Sequence, residues 1–305
     1  MADLIGRAVL AVTDTNTIRN TFTKTRPGRA LARRFVAGET LDDAFAVARS
    51  LVEAGCEVSL DHLGEHVSDR AEAAGARDDY LACLNRIGSS GLPANVSVKL
   101  TQLGMGLDDA LAAESLDELA VRAAEVGTTV TVDMEESEYT ESTVAIYAAA
   151  QRRHGNLGIA VQSYLRRTKV DLDRLIPLGG HIRLCKGAYA EAEAVALQPD
   201  GEVDASFDSL LTLLMQAPGV KPAIATHDDK RIMLAKRLIE HRDEPYEFQM
   251  LYGVRGPLQR ELVAAGYPLR IYVPYGVAWY PYLTRRLAER PANVFFFLRA
   301  LVGRR

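Results

Sequence analysis

Two adjacent arginines near the end of the chain are the residues whose type and spacing most directly indicate chemistry. Tyr282, Arg285, Arg286 and Glu289 recur at intervals of three and four residues, so on a helix they share one face. Neighbouring helical residues point about 100° apart, and two guanidinium groups at that angle can hold one carboxylate from two sides. Glu289 lies one turn further on and can hold both arginines. The pattern predicts a clamp for a small acid; the alternative is a solvated arginine pair at a helix C-terminus.

A second group of polar residues follows the short apolar runs that precede this pair. These runs, rich in Val, Ile and Leu, alternate with longer amphipathic stretches, a pattern typical of strands alternating with helices. Eight strands are predicted, at residues 57–60, 95–100, 128–133, 157–162, 181–186, 222–226, 246–251 and 269–273. Helices are predicted at residues 68–87, 107–126, 141–154, 204–215, 230–240, 257–265 and, between Pro281 and Pro291, 282–289.

The count of eight favours the α/β class and a (βα)8 TIM-like barrel with additional N-terminal helices. An open doubly wound sheet would also alternate strands and helices, but no GxGxxG sequence follows the first strand. Residues 1–55 read as a helical segment packed on the barrel, with Thr40 capping a helix over residues 41–54. Residues 56–305 are predicted to form the barrel, in a single domain overall, with an exposed loop at 197–203.

Composition places the chain among ordinary globular proteins and excludes several functions. Of 305 residues, 48% are hydrophobic and 25% are charged, with a net charge of −4 and no basic run that would indicate nucleic-acid binding. Three cysteines without a CxxC pair fit a reducing compartment. Asp3 and Arg7 interrupt the first apolar run, so we expect no signal peptide. The aromatic and basic run at residues 293–305 predicts a helix that packs on the barrel or lies on a membrane surface.

In (βα)8 barrels the active site lies at the C-terminal ends of the strands. Polar side chains end most of the predicted strands and should therefore meet at one mouth: Lys99, Asp133, Gln162, Arg183, Thr226 and His227. Asp133 is expected to keep Lys99 charged, because an opposite charge nearby favours the protonated amine. A charged Lys99 beside Arg285 and Arg286 would make a cationic clamp for a small acid.

The fifth predicted strand indicates a second ligand. Arg183 supplies a fixed cation, and Lys186-Gly187-Ala188 predicts a turn of small residues at the start of a helix, where phosphates can approach main-chain donors. Gln162 could bond the rim of a planar ring. Flat apolar walls would come from Tyr189, Leu251, Tyr272 and Tyr275. The residues together predict a pocket for a planar cofactor and a small amino or hydroxy acid.

Other functions are consistent with the same residues. His62-Leu63-Gly64-Glu65-His66 matches the letters of a zinc pattern that requires one continuous helix, but it follows directly on a predicted strand, so we predict no metal. Asp61, Asp133, Glu135 and His227 have no diagnostic ligand spacing. A Schiff-base lyase or aldolase acting on a keto acid through Lys99 or Lys186 is a first alternative. A non-catalytic barrel that binds a small acid is a second.

Seven motifs, in order, resemble the proline dehydrogenase family and extend over residues 56–290. They are VSVKLTQLG (96–104), VDME (132–135), RLCKGAY (183–189), ATHD (225–228), QMLYG (249–253), RIYVPYG (270–276) and YLTRRL (282–287). The length resembles the monofunctional bacterial form, with no room for a second, aldehyde dehydrogenase domain. The resemblance implies a cytoplasmic enzyme that oxidises L-proline to 1-pyrroline-5-carboxylate with non-covalent FAD. It also implies hydride transfer to flavin N5 and a membrane quinone as electron acceptor. The need to reach that quinone and the run at residues 293–305 together predict peripheral contact at the inner face of the cell membrane.

The resemblance also implies roles for individual residues. The proline carboxylate would be held by Lys99, Arg285 and Arg286, and the pyrrolidine ring would pack on Tyr189, Leu251 and Tyr272. Asp133 would order the charged network, and Arg183 would lie near N5. The other expected cofactor contacts are Met134, Gln162, Lys186, Gly187, Ala188, Thr226 and His227, with Glu289 supporting the arginines and the cofactor site.

One residue departs from the family pattern, and one retained residue predicts substrate choice. Many members carry Trp after Lys-Gly-Ala-Tyr, whereas this chain has Ala190, which predicts looser packing beside the flavin. Tyr272 is retained, and its ring should crowd the carbon that bears the hydroxyl group of hydroxyproline. We therefore expect a preference for proline.

Overall fold

Eight parallel strands close into one barrel in the computed structural model, which describes residues 32–288 and the side chains of residues 32–284. Strands pair with their neighbours in chain order, and β1 pairs with β8 to close the ring. The strands are β1 (Glu57–His62), β2 (Ala94–Val98), β3 (Val130–Val132), β4 (Leu157–Gln162), β5 (Gly180–Cys185), β6 (Val220–Ala225), β7 (Glu247–Leu251) and β8 (Leu269–Tyr275). The predicted α/β class and (βα)8 TIM-like barrel are confirmed, and each predicted strand overlaps an observed one.

The barrel has an apolar outer face and a polar interior, because successive strand residues point to opposite sides of a sheet. On β1, Val58 and Leu60 belong to an apolar cluster that also contains buried residues of the helices. Ser59, between them in sequence, points to the opposite side of the strand and is buried. Arg183 on β5 donates across the interior to Ser97 on β2. Polar strand residues are thus turned inward, towards the axis of the barrel.

Helices surround the strands and return the chain from one end of the barrel to the other. They are α1 (Leu41–Glu53), α2 (Arg70–Ser90), α3 (Asp109–Glu125), α4 (Thr140–His154), α5 (Thr168–Leu175), α6 (Asp200–Gln216), α7 (Asp229–Ile239), α8 (Gly256–Ala264) and α9 (Trp279–Ala288). The side chains of Asp69, Asp108 and Asp228 cap α2, α3 and α7 by accepting from backbone N–H groups of the first turn. The sequence patterns missed α5, which is short.

Helix α1 lies against the strands where the barrel closes. Thr40 and Asp43 form a reciprocal capping box at its start, and the helix contacts β1 and β8. Phe45 is fully buried in the same apolar cluster as the barrel strands. Residues 1–31, the rest of the predicted N-terminal segment, lie outside the described residues, so the division at residue 55 stays a prediction.

The predicted loop at 197–203 is wrong in its second half. Helix α6 begins at Asp200, with Asp200 and Glu202 in its first turn. Acidic side chains in a first turn interact favourably with the positive end of the helix dipole. The polar stretch that resembled a loop is therefore a charged helix start.

The predicted start of the last helix is also wrong. Helix α9 begins at Trp279, so Pro281 lies inside its first turn rather than before it. The first N–H groups of a helix have no intrahelical partner, so a proline costs no hydrogen bond there. Glu289 and the run at 293–305 lie outside the described residues. Within residues 32–288, no helix combines the length and the apolar character needed to cross a membrane.

Candidate active site

A lysine and an arginine converge on one aspartate at the C-terminal end of the barrel interior. Asp133, directly after β3, has its Oδ2 3.6 Å from Lys99 Nζ, which follows β2. Arg183 Nη1 donates to Asp133 Oδ1, and the Tyr272 hydroxyl donates to Oδ2 at 2.7 Å. Lys99 Nζ also donates to Asp61 Oδ1 at 2.8 Å. Four predicted site residues from four strands thus share one buried network, which also includes Asp61.

The charges in this network are fixed by their neighbours. Burial opposes the charge on Lys99, but Asp61 and Asp133 raise its pKa well above the ordinary value. Burial would likewise raise the pKa of Asp133, but Arg183 and Lys99 lower it below the usual range. Burial raises the pKa of Asp61, and Lys99 offsets this only in part. Lys99 therefore stays an ammonium ion, which disfavours the Schiff-base alternative at this residue, because a nucleophile must be a free amine.

Arg183 is held by a partner at each of its three nitrogens. Besides its bond to Asp133, Nη2 donates to Ser97 Oγ at 2.9 Å, and Nε donates to Gln249 Oε1 at 2.5 Å. The guanidinium carbon lies 5.2 Å from the centre of the Tyr272 ring, a distance suited to a cation–π contact. The cation therefore has one orientation in the barrel mouth.

Gln162 has one half of its amide bonded and the other half unpaired. Nε2 donates to the carbonyls of Met134 at 2.9 Å and Glu135 at 3.3 Å. Both partners are acceptors, so the amide cannot be turned around. Oε1 is buried with no partner among the described residues, on a side chain that is 3% exposed. A buried acceptor of this kind is costly unless a donor is supplied, so it marks a place for an N–H group of a ligand.

His227 has its tautomer set by the backbone of the next strand. The Leu251 N–H donates to His227 Nε2 at 3.0 Å, so in the neutral ring Nδ1 carries the proton. Arg255 Nη1 donates to the His227 carbonyl at 2.6 Å. Thr226 Oγ1 accepts from the Asp228 N–H at 3.1 Å. Thr226, His227 and Leu251, all predicted site residues, therefore form one structural unit at the ends of β6 and β7.

The loop after β5 requires glycine at position 187. Gly187 has φ +122°, and a Cβ there would lie 2.3 Å from the ring of Tyr164. The expected helix start at this turn is wrong, because α6 begins only at Asp200. The intervening loop is held instead to the β4 end, where Tyr164 N–H donates to Lys186 O and Leu197 N–H donates to Tyr164 O. The backbone of Gly187 thus lies close to the ring of Tyr164, and the next residue, Ala188, is exposed.

Lys186 is held by carboxylates of the following helices. Its Nζ lies 2.5 Å from Asp204 Oδ1 and 3.1 Å from Asp228 Oδ2. Partial burial opposes its charge, but these two carboxylates raise the pKa of Lys186 above the ordinary value. Lys186 is thus a charged group and, like Lys99, is unsuited to Schiff-base formation.

An open cleft lies beside Tyr189 and Ala190. Its volume is about 350 Å³, and its walls also include Glu136, Ser137 and Glu191. Glu191 accepts from the N–H and the hydroxyl of Ser137, each at 2.6 Å, which joins the loop after β5 to the loop after β3. Ala190 contributes a small, exposed side chain to the wall of this cleft, and the looser packing beside the flavin stays a prediction.

The arginine pair lies on α9, on the same side of the barrel as the network. Arg285 and Arg286 fall within the helix, but their side chains, like all of Glu289, lie outside the described residues. Leu283 of α9 and Leu63, two residues after Asp61, belong to one apolar cluster. The helix therefore packs beside the C-terminal end of β1, and the clamp itself stays a prediction.

Several residues of the site were missed by the sequence analysis. Asp61, Ser97 and Gln249 belong to the network, but from the sequence Asp61 was considered only as a metal ligand, and Ser97 and Gln249 received no role. A usable signal was present, because polar residues two positions apart, such as Ser97 and Lys99, share one face of a strand. Glu135 is a further case: it accepts from Thr101, and burial raises its pKa to about 7.

The zinc-like letters at 62–66 do not lie on a helix. His62 is the last residue of β1, and His66 lies in the following loop with φ 52°. In the described part of the chain, no group of three or more His, Cys, Asp or Glu side chains is arranged to hold a metal ion.

The chain is similar to known proteins along most of its length. A family model described as proline dehydrogenase matches residues 44–299. Proline dehydrogenase 1 of Bacillus subtilis subsp. natto is 38% identical, with 92% of this chain and 94% of that protein aligned. Proline dehydrogenase of Deinococcus radiodurans is 34% identical, with 89% of this chain and 90% of that protein aligned.

Among solved structures, proline utilization A (PutA) from Bdellovibrio bacteriovorus, inactivated by N-propargylglycine, superposes with a TM-score of 0.79 and 25% identity. The superposition covers 85% of this chain but only 32% of that one. The chain thus spans about a third of the PutA protein and nearly the whole of the two bacterial proline dehydrogenases.

Proposed function

This chain belongs to the proline dehydrogenase family, and from that premise we propose that it oxidises L-proline to 1-pyrroline-5-carboxylate with non-covalent FAD and a quinone as electron acceptor. Membership makes it an oxidoreductase that acts on proline. The reaction would be the first step of proline degradation to glutamate. The cofactor, the residue roles and the acceptor are the parts we propose.

The substrate carboxylate is held by Lys99, Arg285 and Arg286. The charge on Lys99 supports this role, because Asp61 and Asp133 keep the amine protonated in a buried position. A carboxylate that approaches Lys99 meets a cation already stripped of water, where its attraction is strong. The walls for the pyrrolidine ring are Tyr189, Leu251 and Tyr272.

The unpaired Oε1 of Gln162 is the observation that carries the cofactor assignment. The isoalloxazine ring offers an N–H group at its pyrimidine edge, which is the donor this buried acceptor lacks. Gly187 lets the loop after β5 pack against the ring of Tyr164, and this loop carries Lys186, Gly187 and Ala188, which we assign to the cofactor. The residues that would hold FAD are Met134, Gln162, Arg183, Lys186, Gly187, Ala188, Thr226, His227 and Glu289.

When bound, FAD would supply at N5 the acceptor for a hydride from the ring carbon that adjoins the proline nitrogen and does not bear the carboxylate. The chain supplies position and charge. The carboxylate clamp fixes the substrate, which lowers the entropic cost of reaching the reactive arrangement. Arg183, oriented by Asp133, Ser97 and Gln249, provides a positive charge that stabilises the negative charge developing during transfer. Asp133 orders both cations and so acts with Arg183 at the reacting centre.

The test is a visible absorption spectrum of the purified protein before and after anaerobic L-proline. Flavin bands that bleach with proline are expected. Flavin bands that persist with proline would overturn the assignment of L-proline as the substrate and would indicate another cyclic amine. A colourless protein that stays inactive after FAD is added back would overturn the cofactor assignment.

The proposed electron acceptor, a quinone, also determines where we expect the protein to act. A quinone resides in the membrane, so we place the protein in the cytoplasm with peripheral contact at the inner face, made by the aromatic and basic residues of 293–305. Co-sedimentation with liposomes should fall when these residues are removed. Unchanged co-sedimentation would contradict this contact, and failure of a soluble quinone analogue to reoxidise the protein would contradict the acceptor.

A further inference from the structure

A line of hydrogen bonds runs through the barrel interior from its N-terminal end to Arg183. Glu247 begins β7, and its carboxylate accepts from Arg270 Nε at 2.8 Å and from Lys221 Nζ at 2.6 Å. The next inward residue of β7 is Gln249, whose Nε2 donates to Glu247 Oε1 at 2.6 Å. Gln249 Oε1 accepts from Arg183 Nε at 2.5 Å. Glu247, Gln249 and Arg183 are almost fully buried, so the bonds that join these three residues are shielded from bulk water.

The orientation of the Gln249 amide is set by a charge at each end. Turning the amide around would place its NH2 group against the N–H of Arg183 and its oxygen against the Glu247 carboxylate. Both contacts would be repulsive, because the first would pair two donors and the second would pair two acceptors. Gln249 therefore transmits the position of Glu247 to Arg183, and no rotation of the amide satisfies both neighbours except the observed one.

Glu247 is well suited to act as the fixed end of this line of hydrogen bonds. Burial opposes its charge, but its hydrogen bond with His181, 3.2 Å away, and the charge of Arg270 hold the pKa of Glu247 far below the usual range. Burial lowers the pKa of His181, which favours the neutral ring. Arg270 in turn pairs with Glu57 of β1. The carboxylate is thus ionised and anchored by groups from β5, β6 and β8.

We propose that Gln249, oriented by Glu247, is a positioning residue that fixes the direction of the Arg183 guanidinium in the barrel mouth. Nothing else among the described residues bonds Arg183 Nε. The remaining two partners, Asp133 and Ser97, bond the Nη atoms at the far end of the same plane. Without Gln249 the plane can pivot about those two contacts, and the cation moves relative to the reacting centre. This role rests on the proposed function of Arg183 near flavin N5.

The first test is Gln249→Met, which keeps the length of the side chain but removes the acceptor. The rate of flavin reduction by proline should fall about tenfold or more, because a misdirected cation stabilises the transition state less. The KM for proline should stay within about twofold, because the carboxylate clamp is separate. The flavin potential should fall by about 30 mV, which corresponds to a tenfold change in a two-electron equilibrium.

Asn95→Leu is the matched control, because it also removes a buried interior amide. Asn95 bonds Thr129 and Thr131 rather than Arg183. This variant should keep the wild-type rate and potential even if its stability falls by as much as that of Gln249→Met. A loss of rate in proportion to stability in both variants would overturn the proposal in favour of a purely structural role.

The second variant, Gln249→Glu, adds a signature that a structural role would not produce. Protonated, the new carboxyl group can donate to Glu247 and accept from Arg183, as the amide does. Two carboxylates this close cannot both ionise freely, so the proton is lost only at raised pH, where a new negative charge would offset that of Arg183. The rate and potential should then match the wild type at low pH and fall as pH rises. A pH profile parallel to that of the wild type would contradict the proposal.

These outcomes are separate from failure of the proposed function. If the wild type shows no flavin, or no bleaching with proline, the proposed function fails before any variant is made. If the wild type bleaches and folded, flavin-loaded Gln249→Met reduces at the wild-type rate, only the positioning role fails. Should Gln249→Met not fold, the pH profile of Gln249→Glu decides the question.

Discussion

At the scale of single residues, the site consists of buried, oppositely charged side chains, and burial strengthens the attraction between them. Asp61 and Asp133 face Lys99, and Asp133 also faces Arg183. Removing one partner from a buried ion pair leaves an uncompensated charge, which costs about 3–5 kcal/mol. The same arrangement holds both cations in place, as the roles proposed for Lys99 and Arg183 require.

Tyr272 allows a direct test of substrate choice. Its hydroxyl is fixed by Asp133 at 2.7 Å, so the ring cannot swing away from a larger substrate. Tyr272→Ser should lower the proline-to-hydroxyproline ratio of kcat/KM by about tenfold or more, as expected when a steric wall is removed. Tyr272→Phe keeps the ring but loses the bond to Asp133, so the ratio should fall less than in Tyr272→Ser. An unchanged ratio in Tyr272→Ser would show that the ring does not exclude the hydroxyl group.

Glu135 predicts a pH dependence of stability. Burial raises its pKa to about 7 from an ordinary 4.5, so the folded protein binds this proton more tightly than the unfolded chain. The resulting stability is fully present below pH 4.5 and is lost as pH rises to about 7. Glu135→Gln does not titrate, so at pH 8 its free energy of unfolding should exceed that of the wild type by about 3 kcal/mol. Urea denaturation at pH 4.5 and pH 8 measures this difference.

The exposed neighbour Glu138 supplies the control for that experiment. Glu138→Gln should change the unfolding free energy little at either pH. A gain at pH 8 of the same size in both variants would reflect net charge rather than the burial of Glu135.

At the scale of elements, the loops after the strands create the site by packing on one another. The loop after β5 is bonded to the β4 end through Tyr164 and to the loop after β3 through Glu191 and Ser137. This loop is long because α6 begins only at Asp200. Its position depends on contacts between loops, which no single stretch of sequence reveals.

Gly187 tests the contact between the β5 loop and Tyr164. Gly187→Ala places a Cβ 2.3 Å from the ring at a positive φ, so the loop or the ring must move. We expect a loss of about 2 kcal/mol or more in stability and a lower flavin content. Gly201→Ala is the control, since a Cβ at that helical position meets nothing within 4 Å. Normal flavin content in Gly187→Ala would show that cofactor binding does not depend on the packing of this loop against Tyr164.

At the scale of the whole molecule, closure of the barrel and support of the site use the same interior groups. Arg270 on β8 bonds Glu57 on β1 and Glu247 on β7, across the seam where the first and last strands meet. The bonds from Glu247 then continue through Gln249 to Arg183. A polar barrel interior is costly unless each group is paired, and here the pairing links the two ends of the barrel.

Arg270 therefore carries a stability prediction. Arg270→Met leaves the buried Glu247 carboxylate with less compensation and should lower the free energy of unfolding at pH 7 by about 3–5 kcal/mol. The pKa of Glu247 is depressed in the wild type, so its stabilising contribution is lost as pH falls through and below its ordinary range. The difference between variant and wild type should therefore shrink in acid.

Lys221→Met is the comparison for that variant. Lys221 bonds the same carboxylate, but its side chain is 37% exposed, so we expect a loss of only about 1 kcal/mol or less. Equal losses in the two variants would contradict the view that burial of Arg270 decides its contribution.

By itself, the sequence determined the barrel and the membership of the polar mouth. Eight apolar runs alternating with helical stretches are local patterns, and strand ends in a closed parallel barrel must meet at one face. On that ground Lys99, Asp133 and Arg183 are predicted to meet, and the structure brings them together. Helix bounds were less accurate, as Pro281 and Asp200 illustrate, because both residue types are equally at home in loops and in first helical turns.

Only the tertiary structure decided which interior groups pair. Asp61, Ser97 and Gln249 are far apart in sequence, and their roles depend on distances across the barrel that the strand register sets. The pKa of each titratable group likewise depends on burial and on neighbours from other strands, as Lys99 and Glu135 show. Local sequence patterns specify elements and faces, whereas electrostatic interactions act through space between strands that are distant along the chain.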